Sequence, residues 1–473
     1  MNEHPVWSYV HRAQADLHAL SNAVWATPET CYAETRSTAA HVAELKRQGF
    51  AVTENVAGIP TAVIGEAGEG GPVIAFLGEY DALAGLSQVA DLAERKPMEQ
   101  GANGHGCGHN LLGSAAMLAA IALRDWLRDT GTPGRVRYYG CPAEEGGAGK
   151  TFMVRDGAFA DVDIAISWHP HSIPAVMLGS SLANARVDFS FTGRASHAAA
   201  SPHLGRSALD AMELMNVGVN YLREHMPDSA RIHYAIIDGG GISPNVVQGQ
   251  AKVRYVVRDK TAPEMLKLLA RVRKVAQGAA LMTETEVQDE VLAAVSNLIP
   301  NDPLCAAMQR NLDLLGPPPF DDLDRAYAAR FQATMTEEDI ATAYESVGMR
   351  PRTDLALPDF VVPEGTPVPP LAGSTDVADV SWVVPTVQLW GATYAIGTPF
   401  HSWQMVAQGK SPLALKGMTH AAAVMAATGA DVIRDADLRK RAWDDLGARV
   451  GPKGYICPLP SDAEPPIAAM AGS

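Results

Sequence analysis

The chain has 473 residues, a formal net charge of −15 and an apolar fraction of 47%. That length exceeds what one hydrophobic core usually organises, so two domains are expected. The acidic balance argues against nucleic acid or an anionic membrane as partner, because either would favour a basic face.

The N-terminal segment MNEHPVWSYVHRAQADLHAL lacks the basic stretch and apolar run of a secretion signal. Its histidines His4, His11 and His18, with His41 further on, lie on amphipathic helical stretches and are expected at the surface. Up to about residue 183, short apolar strands (Val73–Leu77, Val136–Tyr139, Ile164–Ser167) alternate with helical segments such as Leu111–Arg128, which predicts a parallel α/β sheet. The richest apolar stretch, Leu111–Leu123, is too short to span a membrane. The rhythm changes near Ala185. A strand at Arg186–Thr192, a helix at Arg206–Glu224, strands at Ile232–Ile237 and Lys252–Arg258, a helix at Ala262–Gly278 and a strand at Glu284–Val291 make the order β-α-β-β-α-β. We read residues 185–295 as an inserted ferredoxin-like domain, with residues 1–184 and 296–473 forming the other domain. Beyond it, Thr336 and Asp339 resemble a capping box before Ile340, and Pro358–Ser374 reads as a long loop. A strand at Thr386–Leu389 and a helix at Leu413–Ile433 follow, and the tail from Pro452 is expected to be loosely held.

The reactive residues cluster where the predicted strands end. Val73–Leu77 runs into Gly78-Glu79-Tyr80-Asp81, Val136–Tyr139 into Cys141-Pro142-Ala143-Glu144-Glu145-Gly146, and Ile164–Ser167 into Trp168-His169-Pro170-His171. Thr386–Leu389 leads to Phe400-His401. In open α/β sheets the ligand site lies outside the carboxyl ends of strands, so these clusters can converge. The turn Gly104-His105-Gly106-Cys107-Gly108-His109 adds a thiol and an imidazole two residues apart, able to reach one metal ion. Such donors suit zinc, and carboxylates also admit manganese. Adjacent glutamates after a buried strand are costly unless compensated. A metal compensates one, and the other is free as a general base.

Blander readings compete for each residue. A lone Cys107 is usually an inert buried thiol, and paired glutamates usually lie on a solvated helix face, although here a proline precedes them and glycines follow. His169 and His401 are ambiguous alone, His171 is expected beside the site or at the surface, Cys141 in packing, and His233 in a structural role. His197 occupies a small-residue loop that lets it project toward another surface. Cys107 as a nucleophile with His109 as its base is a further alternative.

Together, GEYDALAGLSQ (78–88), GHGCGHNLLG (104–113), PAEEGGAGK (142–150), SWHP (167–170), GRASHAAASP (193–202) and GTPFHSW (397–403) resemble the dinuclear metallopeptidases that include aminoacylases, hippurate hydrolases and indoleacetyl-amino-acid hydrolases, above all the branch acting on aminobenzoyl-glutamate. The resemblance implies a mixed, mostly parallel α/β catalytic domain with a lid and dimerisation domain inserted. It implies two divalent ions held by Cys107, His109, Glu145, His169 and His401, with Glu144 as general base and Asp81 orienting a ligand. His197 would reach a partner's site and stabilise the oxyanion, while Asn245, Arg258 and Thr375 would contact substrate. The implied activity is hydrolysis of an N-acyl or N-aroyl amino acid, such as p-aminobenzoyl-glutamate, by hydroxide formed at the metals. A homodimer through the lid is expected, and a heteromer with a related subunit is the alternative. Aromatic acid–aspartate conjugates, dipeptides, or a non-catalytic subunit role are the competing outcomes. Hippurate hydrolases show Asp-Met-Asp-Ala-Leu-Pro where this chain has Glu79-Tyr80-Asp81-Ala82-Leu83-Ala84, which leaves Glu79 without an assigned role. His105 and His171 are extra imidazoles near the ligands.

Overall fold

The computed structural model describes residues 4–371 and 373–470. Its strands in chain order are β1 (Ala51–Glu54), β2 (Val63–Glu69), β3 (Val73–Glu79), β4 (Gly134–Cys141), β5 (Ile164–His171), β6 (Ala175–Val176), β7 (Ala183–Thr192), β8 (Arg231–Asp238), β9 (Gln250–Asp259), β10 (Glu286–Val295) and β11 (Thr386–Ala392). They form a seven-stranded sheet, ordered β1-β2-β4-β3-β5-β11-β6, and a four-stranded sheet, ordered β10-β7-β9-β8.

In the large sheet β4, β3, β5 and β11 run parallel, with antiparallel strands at both edges. Every residue of β3 and β11 is buried, as expected for strands covered on both faces. One cover is the helix His109–Thr130, which packs between the sheet and the helices Trp7–Trp25 and Pro412–Arg434. Its apolar run is a core segment, and no helix among the described residues is long and apolar enough to cross a membrane. Register aligns the strand ends: Glu79 pairs with Cys141, and His169 with Trp390. The edge strands β1, β2 and β6 escape a hydrophobicity reading, because β1 is mostly exposed and β2 is interrupted by glycines.

The smaller sheet is antiparallel throughout and arises from the β-α-β-β-α-β order. Ala185, Val187, Phe189 and Phe191 of β7 and Val253, Tyr255 and Val257 of β9 are buried against the helices Ala208–Leu222 and Ala262–Thr283. Alternate residues therefore face the other way.

Two expectations fail. His41 is fully buried rather than at the surface: Tyr138 O–H donates to its Nδ1 at 2.8 Å and stacks on its ring, and burial lowers its pKa to about 3. The helix Thr35–Arg47 turns this histidine toward the sheet together with Val42 and Leu45. His4 and His18 are half-buried, bonded to Asp431 and Thr419. The tail is also anchored. Tyr455 O–H donates to Asp379 Oδ1 at 2.8 Å, and Leu459 and Met470 are buried. Both the capping box at Thr336 and Asp339 and the long loop before Ser374 are present.

Candidate active site

Parallel strand ends bring the carboxylates and imidazoles together. Cys107 and His109 come from the glycine turn that opens the helix His109–Thr130, Glu144 and Glu145 from the turn after β4, and His169 from β5. His401 arrives from the loop after β11, where its N–H donates to the Gly106 carbonyl at 2.9 Å. The backbone is strained around these groups: Ala143, Ala148 and His401 all have φ between 56° and 61°, a region unfavourable for residues with a Cβ. Gly108 has φ 78°, and a Cβ there would come within 2.3 Å of the Tyr394 hydroxyl.

Two triads have donor atoms within 4.8 Å of one another, Cys107–His109–His169 and Cys107–Glu145–His401, and they share the thiol. A third is Glu79–His109–Glu144. Asp81 Oδ1 accepts from His109 Nδ1 at 2.8 Å, and its Oδ2 accepts from the Glu145 N–H at 2.9 Å. One buried carboxylate thus orients both the imidazole and the glutamate turn, and it leaves His109 Nε2 bare. Burial alone would raise the Asp81 pKa, but the neighbouring His109 holds it below its ordinary value. His169 Nδ1 donates to the Pro170 carbonyl at 2.9 Å, so its Nε2 is also bare, 3.4 Å from Cys107 Sγ. Burial and then His109 lower the His169 pKa to about 4, which keeps the ring neutral as a ligand must be.

These residues fit bound cations. His109 Nε2 and Glu79 Oε2 approach to 3.2 Å, and both, with Glu145 Oε1, are buried without a hydrogen-bond partner. Burial pushes Glu144 and Glu145 upward, and for Glu144 the neighbouring Glu79 adds to it. So dense a set of acids wants positive charge, and thiolate with imidazole and carboxylate suits divalent transition metals.

The extra imidazoles are engaged elsewhere. His105 Nε2 donates to the Val24 carbonyl at 3.0 Å. His171 accepts from the Ile173 N–H at 3.1 Å and stacks on Trp390 at 4.7 Å. It is buried in the wall of the site rather than at the surface. Cys141 is buried in packing, and all five cysteines are free thiols.

Sequence reasoning had no role for Lys150 and left Glu79 open. Lys150 is fully buried, with its Nζ 2.6 Å from both Glu79 Oε1 and Asp376 Oδ1. Asp376 Oδ2 also accepts from the Lys150 N–H at 2.9 Å. A lysine opening a short helix reads as solvated until the fold places two acids around it, Glu79 from β3 and Asp376 from the turn before the helix Val377–Val383. Removing one member of a buried ion cluster strands the others, so Lys150→Met is expected to cost about 3 kcal/mol of stability in urea unfolding, with Lys150→Arg costing less. A loss below about 0.5 kcal/mol would show that the cluster is not held this way.

The site opens into a cavity of about 510 Å³. Cys107, Glu144, Glu145, His169, His401 and Thr375 line it, as do Trp390, Phe400, Tyr394 and His171. Thr375 and Arg258 meet Glu144 again in a narrow adjoining cleft, where Arg258 Nη1 donates to Ser374 Oγ at 2.8 Å. His197 and Asn245 are exposed on the smaller sheet's loops and line neither space. His197 Nδ1 accepts from the N–H groups of Ala199 and Ala200 at 3.2 and 3.1 Å, so its Nε2 is left to donate outward.

The sequence profile of peptidase family M20/M25/M40 matches residues 75–322. Over 457 residues the chain is 45% identical to one of the subunits of p-aminobenzoyl-glutamate hydrolase from Escherichia coli (strain K12), covering 94% of this chain and 95% of that protein. It is 34% identical to the Xaa-Arg dipeptidase of Mus musculus, over 65% of this chain and 70% of the relative. A solved dinuclear metal-binding peptidase of Bacillus subtilis shares the fold, with a TM-score of 0.55 at 18% identity over 89% of this chain and 99% of the other.

Proposed function

Given that the chain belongs to peptidase family M20/M25/M40 and is a metal-dependent amidohydrolase, we propose that its substrate is an N-aroyl amino acid of the p-aminobenzoyl-glutamate kind. The observation that carries this reading is the aromatic wall beside the acidic cluster. Trp390 and His171 stack on each other at 4.7 Å, Phe400 lies 5.5 Å from His169, and all line the cavity, where they offer aromatic faces to a flat ring. The name of the Escherichia coli relative supports the glutamate half.

In this reading Cys107, His109, His169, Glu145 and His401 would hold two divalent ions, zinc or manganese. Once bound, such ions supply Lewis acidity and lower the pKa of water. Glu144 takes the proton from the attacking water and passes it to the amide nitrogen as the C–N bond breaks. Asp81 keeps the His109 tautomer and the glutamate turn in place. Arg258 and Thr375 receive the amino-acid carboxylate, with Asn245 on the loop above. Residues 185–295 act as lid and dimerisation domain. His197, pointing outward, donates to the oxyanion in a neighbouring subunit's site. That neighbour is a second copy; a related but different subunit is the alternative, raised by the Escherichia coli relative being one subunit of its enzyme. Free cysteines support a reducing compartment, the cytoplasm.

The purified chain should release p-aminobenzoate from p-aminobenzoyl-glutamate with kcat/KM at least ~10-fold above that for Xaa-Arg dipeptides or indoleacetyl-aspartate. Exclusive cleavage of dipeptides would overturn the substrate reading. Activity appearing only after a related subunit is added would assign this chain a partner role instead.

A further inference from the structure

In the narrow cleft of about 50 Å³ beside Glu144, the catalytic reading gives Arg258 a role and leaves Arg186 without one. In the β7–β9 ladder Asn184 lies opposite Arg258, and Arg186 opposite Val256. Asn184, Arg186, Arg254 and Arg258 therefore share the face turned away from the helices. Arg254 is neutralised: its Nε and Nη2 donate to the two Asp188 oxygens at 2.7 and 3.1 Å. Arg258 spends a donor on Ser374. Arg186 makes no hydrogen bond or ion pair with any described residue. Its guanidinium is half-buried and rests on Gly146, where a Cβ would come within 2.4 Å of Nη1. A partly desolvated guanidinium whose five donors have no acceptor among the described residues favours an anion, and its planar fork matches a carboxylate.

The cleft and the aromatic cavity share Glu144, Ser374 and Thr375. An amide lying across Glu144 thus places its acyl arm among the aromatic side chains and its amino-acid arm among the arginines. Resting on the substrate reading above, we propose that Arg186 is a specificity-determining residue that takes the side-chain carboxylate of an acidic amino acid on the leaving side, while Arg258 takes the α-carboxylate. The chain then selects conjugates of dicarboxylic amino acids over neutral ones.

Steady-state kinetics of wild type, Arg186→Gln and Arg186→Lys on p-aminobenzoyl-glutamate and p-aminobenzoyl-glutamine test this, since the two substrates differ only at the carboxylate in question. The wild-type preference for the glutamate conjugate is expected to fall by ~30-fold in Arg186→Gln, mainly through KM, and by less in Arg186→Lys. An equal loss on both substrates would overturn the proposal, leaving Arg186 as a support for the glutamate turn. Titration calorimetry of the same proteins with L-glutamate and L-glutamine gives a second readout. Glutamate selectivity that depends on Arg186 in a wild type unable to cleave either amide would overturn the substrate reading and uphold this one. Should Arg186→Gln not fold, the Lys variant carries both measurements, and unchanged selectivity there in both assays counts against the proposal.

Discussion

Glu144→Gln is expected to lower kcat by ~10³-fold while the purified protein keeps its full metal content. Elimination among the buried acids singles this residue out. Asp81 has both oxygens committed, to His109 and to the Glu145 N–H. Glu79 gives one oxygen to Lys150 and turns the other toward His109. Glu145 lies 3.4 Å from His401 and belongs to the triad with Cys107. Glu144 accepts no hydrogen bond from a described residue, and alone of the four it lines both the aromatic cavity and the arginine cleft. Glutamine keeps the shape of the side chain and cannot carry the proton. Kinetics combined with elemental analysis check this, and near-normal turnover at unchanged metal content would remove Glu144 from the mechanism.

Cys107→Ala is expected to reduce bound metal from two ions per chain to fewer than one, because this thiol is the member common to two triads. Metal binding is linked to folding, so the variant should also lose the stabilisation that added metal gives the wild type, about 4 kcal/mol when free metal exceeds Kd by about 1,000-fold. Chelator-treated wild type serves as the control. It should melt close to the variant, which separates loss of the ion from loss of the side chain's packing. Retention of both ions in an inactive variant would instead favour Cys107 as nucleophile.

Much of this was legible in the chain itself. Short apolar runs ending in Glu79, Glu144–Glu145 and His169 announced a parallel sheet with its chemistry at one edge, because a strand buried on both faces has to be continuously apolar. The order of elements after Ala185 announced the second sheet in the same way. Local pattern could not say what lies across the fold from a given side chain. His41 reads as a surface residue on an amphipathic helix and is buried because Tyr138 arrives from β4. Lys150 opens a short helix as a solvated lysine would, and it is a buried cation because Glu79 and Asp376 approach it over 71 and 226 residues of chain. Arg186 and Arg254 are two equivalent arginines in sequence. Only strand pairing, which sets Asp188 against Arg254, leaves Arg186 without a hydrogen-bonded acid among the described residues. Periodicity and residue type therefore determined which elements form and where reactive groups collect along them. Tertiary structure decided which charges are paired, because pairing depends on distance in space and not on separation along the chain.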